Sequence, residues 1–425
     1  MKIIFNIYIF IFICLLSQSA LARKNIDSFD NIIIVGDSLS DQSRMGLGRI
    51  PYCPNPAAGY WNNRFTNGKL WVDYLVEDQG EAFRVKIKNL AVGGTALTKR
   101  GAGGFAYPIM QQIVLAKEGR KKKNSDEWEY TPLDFSRSMF IIFGGSNDIK
   151  DYIDNGKWVA TEPEELGFAM AFAIKEMQDY IVRNGGSLDN ILIIGLPPLH
   201  KIPKAKDWTQ AQRDWAQQTV TQAANHTQLF AGNSLYLDIS LRISEIIDGT
   251  KVYYGLTDVK NTCSSVAQCT LQATSEILTG GPYQKKTCES YLFFDQVHPT
   301  SLAHCGINKW IAQELNKRFD VAGFKAGDNI DHNINSCGLE RQIPQATWKT
   351  RGTTLLFGFF DNSSEREPIV YTTEGSDNPD MAVKASYCRY QCNIPTPTSS
   401  FCFLSLGTVL YPNGANRSFC RCGRN

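Results

Sequence analysis

Histidine is scarce in this chain, with five among 425 residues. His304 and His332 have no acidic or cysteine partner at metal-ligand spacing, so no metal centre is expected from them. An excess of charge is also missing. Lys and Arg number 44 against 42 Asp and Glu, a net +2 that gives no case for a nucleic-acid partner. No internal repeat and no low-complexity tract is present, which argues against solenoids and linkers. Hydrophobic content of 43% is ordinary for a globular protein, so disorder is not expected. Beyond the first residues, no apolar run is long enough to cross a membrane.

The one apolar run is at the start. Lys2 precedes IIFNIYIFIFICLL at 3–16, and Ala20-Leu21-Ala22 follows with an A-x-A pattern. This reads as a secretory signal peptide, residues 1–22, with an uncleaved anchor as the alternative. Cys14 lacks small residues before it, which argues against a lipoprotein cut. Export predicts a secreted or periplasmic protein whose net charge, without Lys2, falls from +2 to +1. Of the 12 cysteines, removal of Cys14 leaves eleven, an odd number. Disulfides are then expected, with Cys53 as the candidate free thiol. The pairs Cys388/Cys392 and Cys420/Cys422 have no histidine nearby, and bridges are preferred to metal ligation there.

Five segments read as buried strands: Asn31–Gly36, Val85–Leu90, Met139–Gly144, Asn190–Gly195 and Ser234–Asp238. Three of them are near-continuous Ile/Val/Leu/Phe runs ending at glycine, the pattern of central parallel strands buried on both faces. Helices are predicted over Pro163–Arg183 and Trp208–Phe230. A last one starts at Pro299-Thr300-Ser301, with Leu302, Cys305, Trp310, Ile311 and Leu315 on its apolar side. Strands alternating with helices predict a parallel sheet covered on both sides, with ligands at the carboxyl ends of its strands. After about residue 320 the composition changes. Residues 323–425 read as a small β-rich domain stapled by disulfides, and residues 23–322 as the main domain.

Chemistry is concentrated at four strand ends. The first strand runs into Gly36-Asp37-Ser38-Leu39-Ser40, which is not a G-x-S-x-G elbow because residue 40 is Ser. Near the other end, Phe294-Asp295-Gln296-Val297-His298-Pro299 offers a carboxylate and an imidazole from one short loop. A serine hydroxyl needs a base to take its proton, and that base needs a partner fixing its tautomer. Pro299 restricts the backbone of His298 to extended conformations. Asn89-Leu90-Ala91-Val92-Gly93-Gly94-Thr95 and Gly144-Gly145-Ser146-Asn147-Asp148 follow strands two and three. Backbone N–H groups at glycines and an asparagine amide are suitable donors for an oxyanion. Taken singly, each block also reads as an ordinary tight turn.

In this order, the four blocks resemble the GDSL family of lipases and esterases, also called SGNH hydrolases. The resemblance spans roughly Asn31 to Phe319. It implies Ser38 as nucleophile, His298 as base and Asp295 as its orienting partner. The implied oxyanion donors are Ser38 N–H, Gly94 N–H and the Asn147 side chain, with Gly94 chosen over Gly93 by counting from Asn89. The implied fold is a flavodoxin-like three-layer α/β/α sandwich of five parallel strands, and no cofactor is implied.

Within the family, the chain is most similar to exported bacterial phospholipases resembling glycerophospholipid:cholesterol acyltransferase. The shared features are the signal peptide, the loop Tyr52–Phe65 and the segment Cys263–Cys288, which contains Cys269 and Lys285-Lys286. The implied activity is cleavage of fatty-acyl esters of phospholipids or lysophospholipids, with water, an alcohol or a sterol accepting the acyl group. In such enzymes a disulfide-closed loop can restrain activity until a protease cuts it. A structural staple, contributing about 3 kcal/mol, is the alternative for Cys263–Cys288. Two rival functions remain open: a carbohydrate O-acetyl esterase, and a binding protein or adhesin using the fold as a scaffold. The basic run Arg120–Lys123 reads as a solvated loop, with contact to a membrane surface as its alternative.

Overall fold

The computed structural model describes residues 23–42, 44, 54, 60–62, 64–98, 108–123, 125–250, 256–264, 288–322 and 337. The expected signal peptide, Cys53, Cys269, His332 and, apart from Cys337, the expected C-terminal domain lie outside the described residues.

Five parallel strands form the central sheet: β1 (Asn31–Gly36), β2 (Ile87–Asn89), β3 (Ser138–Phe143), β4 (Ile191–Ile194) and β5 (Leu235–Leu237). Their order is β2-β1-β3-β4-β5, the flavodoxin-like arrangement. Every residue of β1, β3 and β4 is buried. These are the three continuous apolar runs, and they occupy the centre because only there are both faces of a strand covered. The edge strands are shorter than their apolar patterns imply. Val85 is 73% exposed and follows a helical turn, Glu81–Arg84, so pairing begins only at Ile87.

The helices used below are α1 (Trp71–Gln79), α2 (Ile109–Glu118), α3 (Ser146–Asp154), α4 (Pro163–Arg183), α5 (Gln210–Phe230), α6 (Ile239–Ile247) and α7 (Ser301–Leu315). Helix α4 packs against α5 and α2, and α1 packs against α7. The predicted span of α4 is matched residue for residue, with Pro163 in its first turn and Arg183 in its last. Helix α5 starts two residues later than its apolar pattern. Thr209 caps it in a box with Gln212, leaving Trp208 outside. Thr300 caps α7 through Ala303 N–H.

Helix α7 is buried well beyond the apolar stripe expected of it. Its polar residues Asn308 and Lys309 both reach Asp78 on α1, at 2.8 Å and 3.1 Å, so the polar side is covered too. Two disulfides are present among the described residues. Cys263–Cys288 closes the segment before the D-x-x-H block, and Cys305–Cys337 ties α7 to the chain beyond residue 322. The run Arg120–Lys123 enters a hairpin between Arg120–Lys121 and Trp128–Tyr130. Arg120, Lys121 and Lys122 are matched there by Glu129, Asp126 and Glu127.

Candidate active site

The end of β1 is fixed before any reactive group is placed on it. A Cβ at Gly36 would lie 2.0 Å from the Phe143 carbonyl oxygen, so only glycine allows β1 and β3 to approach so closely here. The Gln112 side chain of α2 grips Gly36 at both ends, accepting from its N–H and donating to its carbonyl, each at 2.8 Å. Thr95 Oγ1 donates to the same carbonyl at 2.8 Å. The chain then turns, with Leu39 N–H donating to Asp37 Oδ1 at 3.1 Å, and Ser38 stands at the carboxyl edge of the sheet.

Two hundred and sixty residues later in sequence, His298 meets it: His298 Nε2 lies 2.8 Å from Ser38 Oγ. His298 Nδ1 lies 2.7 Å from Asp295 Oδ2. The other carboxylate oxygen, Oδ1, accepts the backbone N–H groups of Val297 (2.8 Å) and His298 (2.7 Å), which folds the D-x-x-H loop onto itself. The loop is closed at its base by strand β7 (Tyr291–Phe293), where Phe294 N–H donates to His298 O and Thr300 N–H to Leu292 O. Burial works to raise the Asp295 carboxyl. The facing His298 charge and hydrogen bonds from His298, Tyr60 and Val297 outweigh it and hold the group below the usual carboxylate range.

The glycine block lies alongside. Gly93 N–H donates to Asp41 Oδ2 at 2.7 Å, whereas Gly94, at φ +76°, and Ser38 make no backbone N–H hydrogen bond among the described residues. Gly94 thus has the free donor and Gly93 does not. Asn147, in the first turn of α3, donates one amide hydrogen to Thr95 O at 2.8 Å, leaving the second available. Asp148 beside it accepts from Leu97 N–H (2.8 Å), Thr98 N–H (2.9 Å) and the Thr98 hydroxyl, locking α3 to the glycine block. The structure therefore brings Ser38, Asp295 and His298 into one hydrogen-bonded chain, and two of the glycine and asparagine donors remain unspent.

A layer not seen in the sequence motifs encloses this chain. Tyr60 donates its hydroxyl to Asp295 Oδ2 at 2.6 Å, and Phe65 packs on the His298 ring with centroids 5.0 Å apart. Thr66 Oγ1 donates to Pro299 O, Asn67 Oδ1 accepts Ser301 N–H, and Lys69 O accepts the Ser301 hydroxyl. Arg64 anchors the segment to α1 through a two-pronged pair with Asp73 at 2.7 and 2.8 Å. In the sequence this loop stands out for its proline, asparagine and aromatic content and for its likeness to the exported phospholipases, but nothing there links it to the triad residues. His304, on α7, is fully buried, and its ring nitrogens have no hydrogen-bond partner among the described residues. Burial, with the neighbouring His298, pushes its imidazole down to about 3, so it is neutral. His200 sits on the turn Leu199–Lys201 after β4, half-buried, and no hydrogen bond among the described residues joins it to Ser38, His298 or Asp295.

The description "GDSL-like Lipase/Acylhydrolase" fits residues 32–311 when the chain is compared with protein families. The chain is 23% identical over 357 residues to a phosphatidylcholine-sterol acyltransferase of Aeromonas hydrophila, covering 73% of this chain and 98% of that protein. It is 26% identical over 329 residues to a GDSL esterase/lipase of Arabidopsis thaliana, covering 66% and 85%. It is 22% identical over 296 residues to the secreted effector protein SseJ of Salmonella typhimurium, covering 66% of this chain and 63% of that protein. With the matched region running from β1 to α7, the chain belongs to the GDSL-like lipase/acylhydrolase family.

Proposed function

We propose that this protein cleaves fatty-acyl esters of phospholipids or lysophospholipids through an acyl-enzyme on Ser38. The observation that carries the reading is the hydrogen-bonded run Ser38–His298–Asp295 beside unspent donors at Ser38, Gly94 and Asn147. His298 takes the Ser38 proton as Oγ attacks the ester carbonyl, and the oxyanion is met by the three donors. Collapse expels the alcohol, which leaves with the proton from His298. Water, or an alcohol such as a sterol, then accepts the acyl group by the reverse sequence. The lipid assignment is supported by the similarity to an acyltransferase whose name gives phosphatidylcholine and sterol as its substrates. Export is supported by the two disulfides, which suit an oxidising compartment.

A regulatory role for the Cys263–Cys288 segment belongs to the same proposal. Its root is strand β6 (Asp258–Thr262), parallel to β7, and Ser264 N–H donates to Phe294 O directly before Asp295. Cutting the loop by a protease would therefore be felt at the carboxylate. The test is fatty-acid release from phosphatidylcholine and lysophosphatidylcholine vesicles, before and after limited proteolysis, with Ser38→Ala in parallel. Serine-dependent release is the expected result. Activity confined to short acetyl esters would replace the lipid reading with a carbohydrate esterase, and release unaffected by Ser38→Ala would overturn the mechanism.

A further inference from the structure

The Asp295 carboxylate carries one donor more than the orienting of an imidazole requires. Its Oδ1 is used by the loop backbone, and Oδ2 receives both His298 Nδ1 at 2.7 Å and the Tyr60 hydroxyl at 2.6 Å. We propose that Tyr60 is a positioning residue: by sharing Oδ2 with His298, it sets how strongly the base holds its proton. The inference rests on the reading of His298 as the base of Ser38.

Tyr60 is well placed for such a role. Its side chain is 0% exposed, its ring meets Phe294 edge-on at 4.9 Å and Phe65 at 6.4 Å, and Phe65 in turn covers His298. Burial and the adjacent carboxylate raise its phenol well above the ordinary range, so it remains a neutral donor. A donor on Oδ2 draws off part of the charge that His298 feels. In a buried site with little solvent to compensate, that loss weakens the attraction between the carboxylate and a protonated imidazole. Without the hydroxyl, Asp295 would attract the imidazolium more strongly, and His298 would keep its proton to higher pH.

Among the described residues, Asp37, in the turn after β1, and His304, on α7, also couple to the His298 charge. No hydrogen bond or ring contact joins either to Tyr60 there, so a wild-type-to-variant difference isolates the hydroxyl. The experiment follows the His298 ring protons by NMR in the full-length protein as pH is varied, assigned by their loss in His298→Gln. The same proteins are assayed for kcat/KM on p-nitrophenyl butyrate. Tyr60→Phe is expected to move the His298 midpoint, and the acid limb of the rate profile, upward by about half a pH unit, a threefold change in proton affinity. KM should hold, because Tyr60 lies behind Asp295.

Thr66→Val serves as the comparison, since it deletes a hydrogen bond to Pro299 O in the same loop without touching the carboxylate. A midpoint unmoved by Tyr60→Phe, or moved equally by Thr66→Val, would overturn the proposal and leave Tyr60 a packing residue. If Tyr60→Phe does not fold, site-specific 3-fluorotyrosine, a stronger donor of nearly the same shape, should move the midpoint downward, and no movement or an upward one overturns the idea. The NMR midpoint needs no turnover, so failure of the ester-hydrolase reading, seen as Ser38-independent or absent cleavage, is distinguishable from failure of this one.

Discussion

Replacing Asp37 by Asn should stabilise the protein, and by an amount that depends on pH in a calculable way. Asp37 directly precedes Ser38 and is 1% exposed. Burial raises its carboxyl from 3.8 to about 6, against the opposing pull of Leu39 N–H, the His298 charge and Gly145 N–H. A group that binds its proton more tightly when folded favours folding fully at pH below 3.8. That contribution is lost as pH rises through the folded value near 6. About two units at about 1.4 kcal/mol each amounts to about 3 kcal/mol. Asparagine imitates the protonated acid and never pays this cost. The advantage of Asp37→Asn over wild type should therefore be small at pH 4 and approach about 3 kcal/mol by pH 8, roughly 5 °C or more in Tm. Differential scanning calorimetry of both proteins across that range is the assay. An increment in Tm that is the same at pH 4 and pH 8 would refute the reasoning, because it would mean the carboxylate is not ionising at a desolvation cost.

Three further outcomes are expected. Asn147→Ala should lower kcat by about 10²–10³ with KM little changed, measured by steady-state hydrolysis of p-nitrophenyl butyrate, because in the proposed mechanism this donor acts on the oxyanion and not on the ground state. Gly36→Ala should leave little soluble protein, since its Cβ has no place 2.0 Å from a backbone oxygen; recovery of a folded variant with wild-type Tm would contradict the geometry. Replacing Cys263 and Cys288 together by Ser should cost about 3 kcal/mol in urea unfolding, the loop-closure entropy of a 25-residue separation.

The fold could be read from the chain because burial on both faces leaves its mark in composition. NIIIVG, MFIIF and ILII admit almost no polar residue, and these are the central strands. The edges were harder, since Val85 continues an apolar alternation and yet lies in a loop. In the site, motifs identify groups that react but not groups that hold them. Tyr60 is 235 residues from Asp295, and no spacing rule links a tyrosine in an aromatic-rich loop to a carboxylate so far along the chain. Gln112 is a polar residue on a mostly apolar helix face, where it resembles an accident of composition until its amide is found on Gly36. Counting from Asn89 separates Gly93 from Gly94, but it cannot show that Asp41 occupies the Gly93 N–H. Helix α7 hid its buried polar side for the same reason: Asp78, its partner, belongs to a distant helix.

The bridge Cys305–Cys337 has a consequence for geography. Helix α7 begins three residues after His298 and runs away from the reactive edge, and the chain leaves it at the far end, where Phe319 pairs with Lys24 beside the start of β1. Left to itself, anything appended there would depart from the pole opposite the chemistry. The bridge instead returns residue 337 to the second turn of α7, about 15 Å back along the helix from Leu315. Cys337 is thereby held at the His298 end of α7, and a reductant acting on this one bond would release that attachment without touching Ser38, His298 or Asp295.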